Sequence, residues 1–108
     1  MTSELAELRA RVERCEAIEA CRSRFNEYLY YLDGGHLDEL IDLFADDGRL
    51  ELMNFPPGSG SDLDYDGRDE IRKLYAAFVG EGARHHSANV SIVLSETGDR
   101  AEVIAYFQ

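Results

Sequence analysis

A chain of 108 residues has room for one compact domain, expected over residues 1–108, and one active site at most. Its 22 acidic residues against 11 basic ones give a net charge of −11, a field that repels phosphate backbones and anionic headgroups and argues against nucleic acid or membrane partners. No apolar stretch approaches the roughly 20 residues of a membrane span, and the N-terminus lacks a basic-then-apolar leader, so a cytoplasmic protein is expected.

From Leu5, apolar residues follow at steps of three and four through Leu8, Val12, Cys15, Ile18, Cys21, Phe25, Leu29 and Leu32, which predicts one long amphipathic helix. It should stop at "DGG", where Gly34 and Gly35 supply the left-handed residue that helix ends favour. Cys15 and Cys21 point in different directions from such a helix and are expected as reduced packing residues.

A short second helix is predicted in "HLDELIDLFADDG", with Leu37, Leu40, Ile41 and Phe44 on one face. "RLELM" alternates as a strand does. "NFPPGSGSDLDYDG" holds both prolines and three glycines with no periodicity, and reads as a surface loop over a pocket. "RDEIRKLYAAFVG" predicts a third helix through Ile71, Leu74, Tyr75 and Phe78, with acidic residues in its first turn. "HHSANVSIVL" and "RAEVIAYFQ" alternate with period two around "SETGD" and predict an antiparallel hairpin. This order of elements implies an α+β class, with helices covering one face of a curved antiparallel sheet.

Strand alternation sets His86, Ala88, Val90, Ile92 and Leu94 on one face and His85, Ser87, Asn89, Ser91 and Val93 on the other, unless a bulge near the histidines reverses the parity. The second set is mostly polar, and faces either water or a partly polar cavity. Adjacent strand residues point apart, and no Glu or Cys lies at a ligand spacing, so the doublet is not expected to hold a metal.

The stretches "EAIEACRSRFNEYLYYLDGGHLDELIDLFADDGRLEL", "YDGRDEIRKLY" and "RHHSANVSI" together resemble the SnoaL-like branch of the nuclear transport factor two-like superfamily, over nearly the whole chain. The resemblance implies a cone-shaped α-β barrel of cystatin-like topology, in which N-terminal helices close against a curved antiparallel sheet around an apolar pocket. The superfamily holds dehydratases, a dehydrochlorinase, isomerases, polyketide cyclases and many non-catalytic binders, so fold alone does not settle function.

In the dehydratase members, a histidine near the start of the strand after the third helix pairs with an aspartate at the end of the first. The matching residues are His85, in "RHHSAN", and Asp33, in "YLDGG". A neutral imidazole can abstract a proton beside an activating group, and a carboxylate on its other nitrogen fixes the tautomer and stabilises the imidazolium. Without a nucleophile elbow, this suits elimination or isomerisation better than acyl transfer.

Tyr28 matches a family tyrosine that could polarise a substrate oxygen, although it could equally fill the core as a packing aromatic. Asp33 could likewise be a solvated helix-end carboxylate. Asn89, Phe55 and Phe107 are expected to touch substrate, and loop 54–66 to cover the entrance. Phe107 stands where scytalone dehydratase has a second active-site histidine, and Leu52 where it has a tyrosine, which argues against scytalone as substrate.

Family members continue through about two further strands after the position of Gln108, so the expectation is a truncated form or a wall supplied by another subunit. The expected function is cofactor-free proton abstraction on a small apolar polyketide-, steroid- or aromatic-like molecule, by a homo-oligomer (dimer or trimer). The alternative is a non-catalytic ligand-binding or subunit-assembly module of the same fold.

Overall fold

The first 33-residue helix, α1 (Thr2–Gly34), forms as its three-and-four spacing predicts. The computed structural model describes residues 2–77, 79, 80, 82 and 84–107, the side chains of Thr2 and Phe107 excepted. Its elements are α1, α2 (Leu37–Asp42), β1 (Arg49–Leu52), β2 (Leu63–Asp66), α3 (Arg68–Ala76), β3 (Ser87–Leu94) and β4 (Ala101–Phe107). The α+β class is the one expected. The described strands pair as two separate two-stranded antiparallel sheets, β1-β2 and β3-β4, so they close no barrel. Two compact units divide the chain, one of residues Met1–Leu29 with Arg84–Gln108, the other of Tyr30–Ala83.

In the first unit, α1 carries two apolar faces in place of the single stripe expected. Each three-residue step between Val12, Cys15, Ile18 and Cys21 falls about 60° short of a full turn, so the stripe swings around the helix. Leu5, Leu8 and Val12 are 66%, 55% and 47% exposed, whereas Leu29, farther along, is 6% exposed. Cys15 is an exposed free thiol and Cys21 a half-buried one, which corrects the packing role expected of Cys15.

Arg14, on another side of α1, donates from its guanidinium to the carbonyls of Ser95 at 2.8 Å, Glu96 at 3.2 Å and Leu94 at 3.2 Å. It thereby satisfies the carbonyls with which β3 ends.

β3 and β4 form the expected hairpin, with Leu94 opposite Ala101 and Ser87 opposite Phe107. The register shifts between Ala88 and Ser91, where Asn89 takes φ 55°. Asn89 and Val90 together oppose one residue of β4, a bulge that exchanges the faces predicted by strict alternation. Beyond it, Ser91 and Val93 share a face with Ile104 and Glu102, and Ile92 and Leu94 share the other with Val103 and Ala101. The first of these faces is the more open, with Val93 59% and Ile104 57% exposed.

The turn closes through the Ser95 amide donating to the Arg100 carbonyl at 2.8 Å, and the Asp99 carboxylate accepts from the hydroxyls of Thr97 and Ser95. Those two hydrogen bonds hold the Asp99 carboxyl below its ordinary 3.8. Because the folded value lies below the unfolded one, the carboxylate's support of the turn is present above pH 3.8 and lost as pH falls through the folded value. The Arg100 amide, which donates to Ser95 Oγ at 3.2 Å, is therefore expected to shift in NMR only in that acid window, and Asp99→Asn should erase the step.

The second unit is built around Leu40 and Ile71, both without exposed surface, and Ile41, Tyr75 and Leu32, each 5% exposed or less. α3 packs on α2, β1 and β2. The rings of Phe44 and Tyr75 meet at 6.1 Å. Arg68 at the start of α3 donates to the Ile41 carbonyl and to the carboxylates of Asp42 and Asp46, tying α3 to the end of α2.

β2 replaces the last part of the surface loop that the sequence predicts there. Leu63 and Tyr65 are half-buried while Asp64 and Asp66 are exposed, so "LDYD" has the period of two that pairing with β1 needs. Arg49 on β1 reinforces it with two bonds to Asp64, at 3.0 and 2.6 Å, which hold that carboxyl below its ordinary range. Phe78, expected on the third helix, lies outside the described residues.

Candidate active site

Asp33 sits in the last turn of α1, half-buried, where the aligned peptide dipoles leave negative charge. No basic residue shares that turn. The compensating cation for an ionised Asp33 has to come from another part of the chain or from solvent. The backbone around it is held on both sides. The Leu32 carbonyl accepts from the Gly80 amide at 3.1 Å, and the Tyr31 carbonyl from the His36 amide at 2.9 Å. The rings of Tyr31 and His36 also meet edge to face at 6.1 Å.

Gly80 seats the end of α1, a contact that no spacing in the sequence announces. Gly35 and Gly80 both take positive φ, 79° and 74°, and a Cβ on Gly80 would stand 2.8 Å from the Gly35 Cα. Backbone meets backbone here because neither residue has a side chain. Gly80→Ala is expected to lower stability by about 2–4 kcal/mol in urea unfolding, from left-handed strain and the clash together. Gly82→Ala is the comparison, since Gly82 has φ 87° but open space around it, and about 1 kcal/mol of strain alone is expected there.

Tyr28 and His85 belong to the first unit and are half-buried. The Tyr28 ring stacks on Phe25, one turn earlier on α1, with centroids 6.4 Å apart and planes 23° from parallel. That contact fixes the ring while leaving its hydroxyl direction to other neighbours. His85 lies two residues before β3 and is more enclosed than its neighbour His86, which is exposed. Tyr28, Asp33 and His85 each take part in a polar, ring or electrostatic interaction.

Asn89 is exposed and supplies the left-handed residue of the bulge, a conformation asparagine tolerates better than most residues. An asparagine between Ala88 and Val90, a residue type depleted in strands, was the available sign of that bulge.

Phe55 belongs to the second unit and is 42% exposed on the loop joining β1 to β2. That loop ends at Asp62, since residues 63–66 are β2, and it is organised by its own hydrogen bonds. Asn54 accepts from the Gly60 amide at 2.8 Å while its own amide donates to Asp62 at 2.8 Å, and the Phe55 amide donates to the Ser61 carbonyl at 2.8 Å. The Phe55-Pro56 peptide is cis. The Phe107 backbone ends β4 opposite Ser87, and its side chain lies outside the described residues.

Among the described residues, no three His, Cys, Asp or Glu side chains are grouped as a metal ion would need. No described helix is long and apolar enough to cross a membrane.

A search of curated proteins finds no match. The family model of the SnoaL-like domain matches residues 13–108, taking in "YLDGG", "YDGRDEIRKLY" and "RHHSAN". A match over all but the first turns of α1, on helices and antiparallel strands in the expected order, places the chain in the SnoaL-like domain family, within the nuclear transport factor two-like superfamily.

Proposed function

We propose that this SnoaL-like chain is a small-molecule lyase or isomerase in which His85 is the general base and Asp33 its carboxylate partner. The observation that carries the reading is the half-buried Asp33 at the negative end of α1 with no basic residue in its turn, within the matched family segment that also contains His85. A carboxylate so placed gains most from a neighbour that becomes positive during reaction.

The neutral imidazole takes a proton from a carbon next to a carbonyl, and the electron pair moves into an enolate. Tyr28 donates a hydrogen bond to the oxygen on which that charge develops. The enolate then expels a β-hydroxyl, which leaves as water with the proton carried by His85, or it is reprotonated at another carbon, which shifts the double bond. Either outcome balances without a cofactor. The substrate class is an apolar ketone of polyketide, steroid or aromatic type, held with help from Asn89, Phe55 and Phe107.

The experiment is deuterium exchange at the α-carbon of a fused-ring aromatic ketone in D2O, followed by proton NMR with and without the protein. Exchange above the buffer rate that depends on His85 is the expected result. Saturable binding of the ketone with exchange at the buffer rate would overturn the catalytic reading in favour of a ligand-binding module.

A further inference from the structure

We propose that the first four turns of α1 form a seam that docks a second copy of this chain in parallel, helix against helix. Leu5, Leu8, Val12 and Cys15 repeat at three, four and three residues, the spacing of two successive heptads with Leu5 and Val12 at a and Leu8 and Cys15 at d. All four are exposed. Leu8, Val12 and Cys15 line a shallow depression with Arg11 and Glu16.

The side of the helix that meets the β3-β4 turn carries Ala10, Glu13, Arg14 and Ala17, roughly half a turn around from the stripe at about 100° per residue. Contact with the hairpin therefore leaves the stripe uncovered. Leu5, Leu8 and Val12 also precede residue 13, where the match to the SnoaL-like domain begins, so the seam is largely additional to that domain.

Charge selects the occupant and its direction. The stripe is flanked by Glu4 and Arg11 at g positions and by Arg9 and Glu16 at e positions. Among the described residues, none of these four is engaged in an ion pair.

In a parallel pair, each g residue faces the e residue five positions later on the other helix. Glu4 then meets Arg9 of the second copy and Arg11 meets Glu16 of the second copy, and the two-fold axis repeats both attractions. Antiparallel pairing of the same four layers sets Arg9 against its own counterpart and Arg11 against its own. A valine at a and a leucine at d are also the choices that favour two strands. Residues 4–16 span only about 20 Å, so the seam gives a concentration-dependent dimer.

The test is sedimentation of the full chain over a range of concentrations, with Leu8→Asp and Ile104→Asp as variants and circular dichroism as the check on folding. Leu8→Asp is expected to raise the dimer dissociation constant at least about tenfold, while Ile104→Asp, on the open face of the β3-β4 hairpin, leaves it unchanged. Direction is read in Cys21→Ser, where diamide should oxidise two Cys15 thiols to one intermolecular disulfide and be reduced to the hydrazine. The same treatment of Cys15→Ser should give no crosslink. A monomer at every concentration, a dimer lost in Ile104→Asp and kept in Leu8→Asp, or a dimer that crosslinks only through Cys21 would each overturn the proposal.

Discussion

Ile71→Ala is expected to lower the unfolding free energy by about 2–5 kcal/mol, the range for removing a large aliphatic side chain from a closed core. Ile71 and Leu40 have no exposed surface, and α3 packs on α2, β1 and β2. The surrounding elements are tied together by Arg68 and by the Gly67 amide donating to the Gly48 carbonyl at 2.7 Å, so they can collapse only partly into the space left. Against a total stability of about 5–15 kcal/mol this is a large share, and Leu40→Ala, at the other residue without exposed surface, should fall in the same range. Urea unfolding followed by circular dichroism measures it. Ile104→Ala, at a residue 57% exposed, should cost less than about 1 kcal/mol. Equal losses at the two sites would mean that burial does not govern stability in this chain.

The second large effect concerns chemistry. If His85 is the base, His85→Gln should slow α-proton exchange by about 10²–10⁴-fold, the contribution expected of a positioned general base. Asp33→Asn keeps the size of the side chain but removes the charge that would stabilise an imidazolium, and a loss of about 10–10³-fold is expected. Groups that act as one unit are not additive, so the double variant should exchange about as slowly as His85→Gln alone. Losses that multiply would show two independent roles, and Asp33 would then be a structural carboxylate at the end of α1.

Gly80 couples the two kinds of effect. Its amide holds the Leu32 carbonyl beside Asp33, and its bare Cα admits Gly35. If Asp33 is the partner of the base, Gly80→Ala should therefore reduce exchange even in the fraction of protein that remains folded.

Much of the architecture was legible in the residues because apolar periodicity is a local property. α1, α2, α3 and the β3-β4 hairpin follow directly from steps of three and four or of two. β2 was hidden because its acidic outer residues, Asp64 and Asp66, make "LDYD" look like more of the preceding loop. What gives them strand-like value is Arg49, fifteen residues before Asp64, and such pairing is not a local signal. The same holds for Arg14 and the β3-β4 turn, 80 to 82 residues away, which no spacing in the sequence announces.

The candidate site divides in the same way. The sequence by itself offered His85 and Asp33 as candidate groups through a family resemblance and set His85 apart from His86 by strand parity. Both histidines instead lie before β3 begins at Ser87 and differ in burial, His85 half-buried and His86 exposed. Only the tertiary structure decided that Asn89 makes a bulge and inverts the strand's parity, that two glycines seat the end of α1, and that Leu5, Leu8 and Val12 on α1 stay exposed while Leu29 is buried. The reason is physical: composition and period are set by neighbours along the chain, whereas burial and close approach are set by neighbours in space.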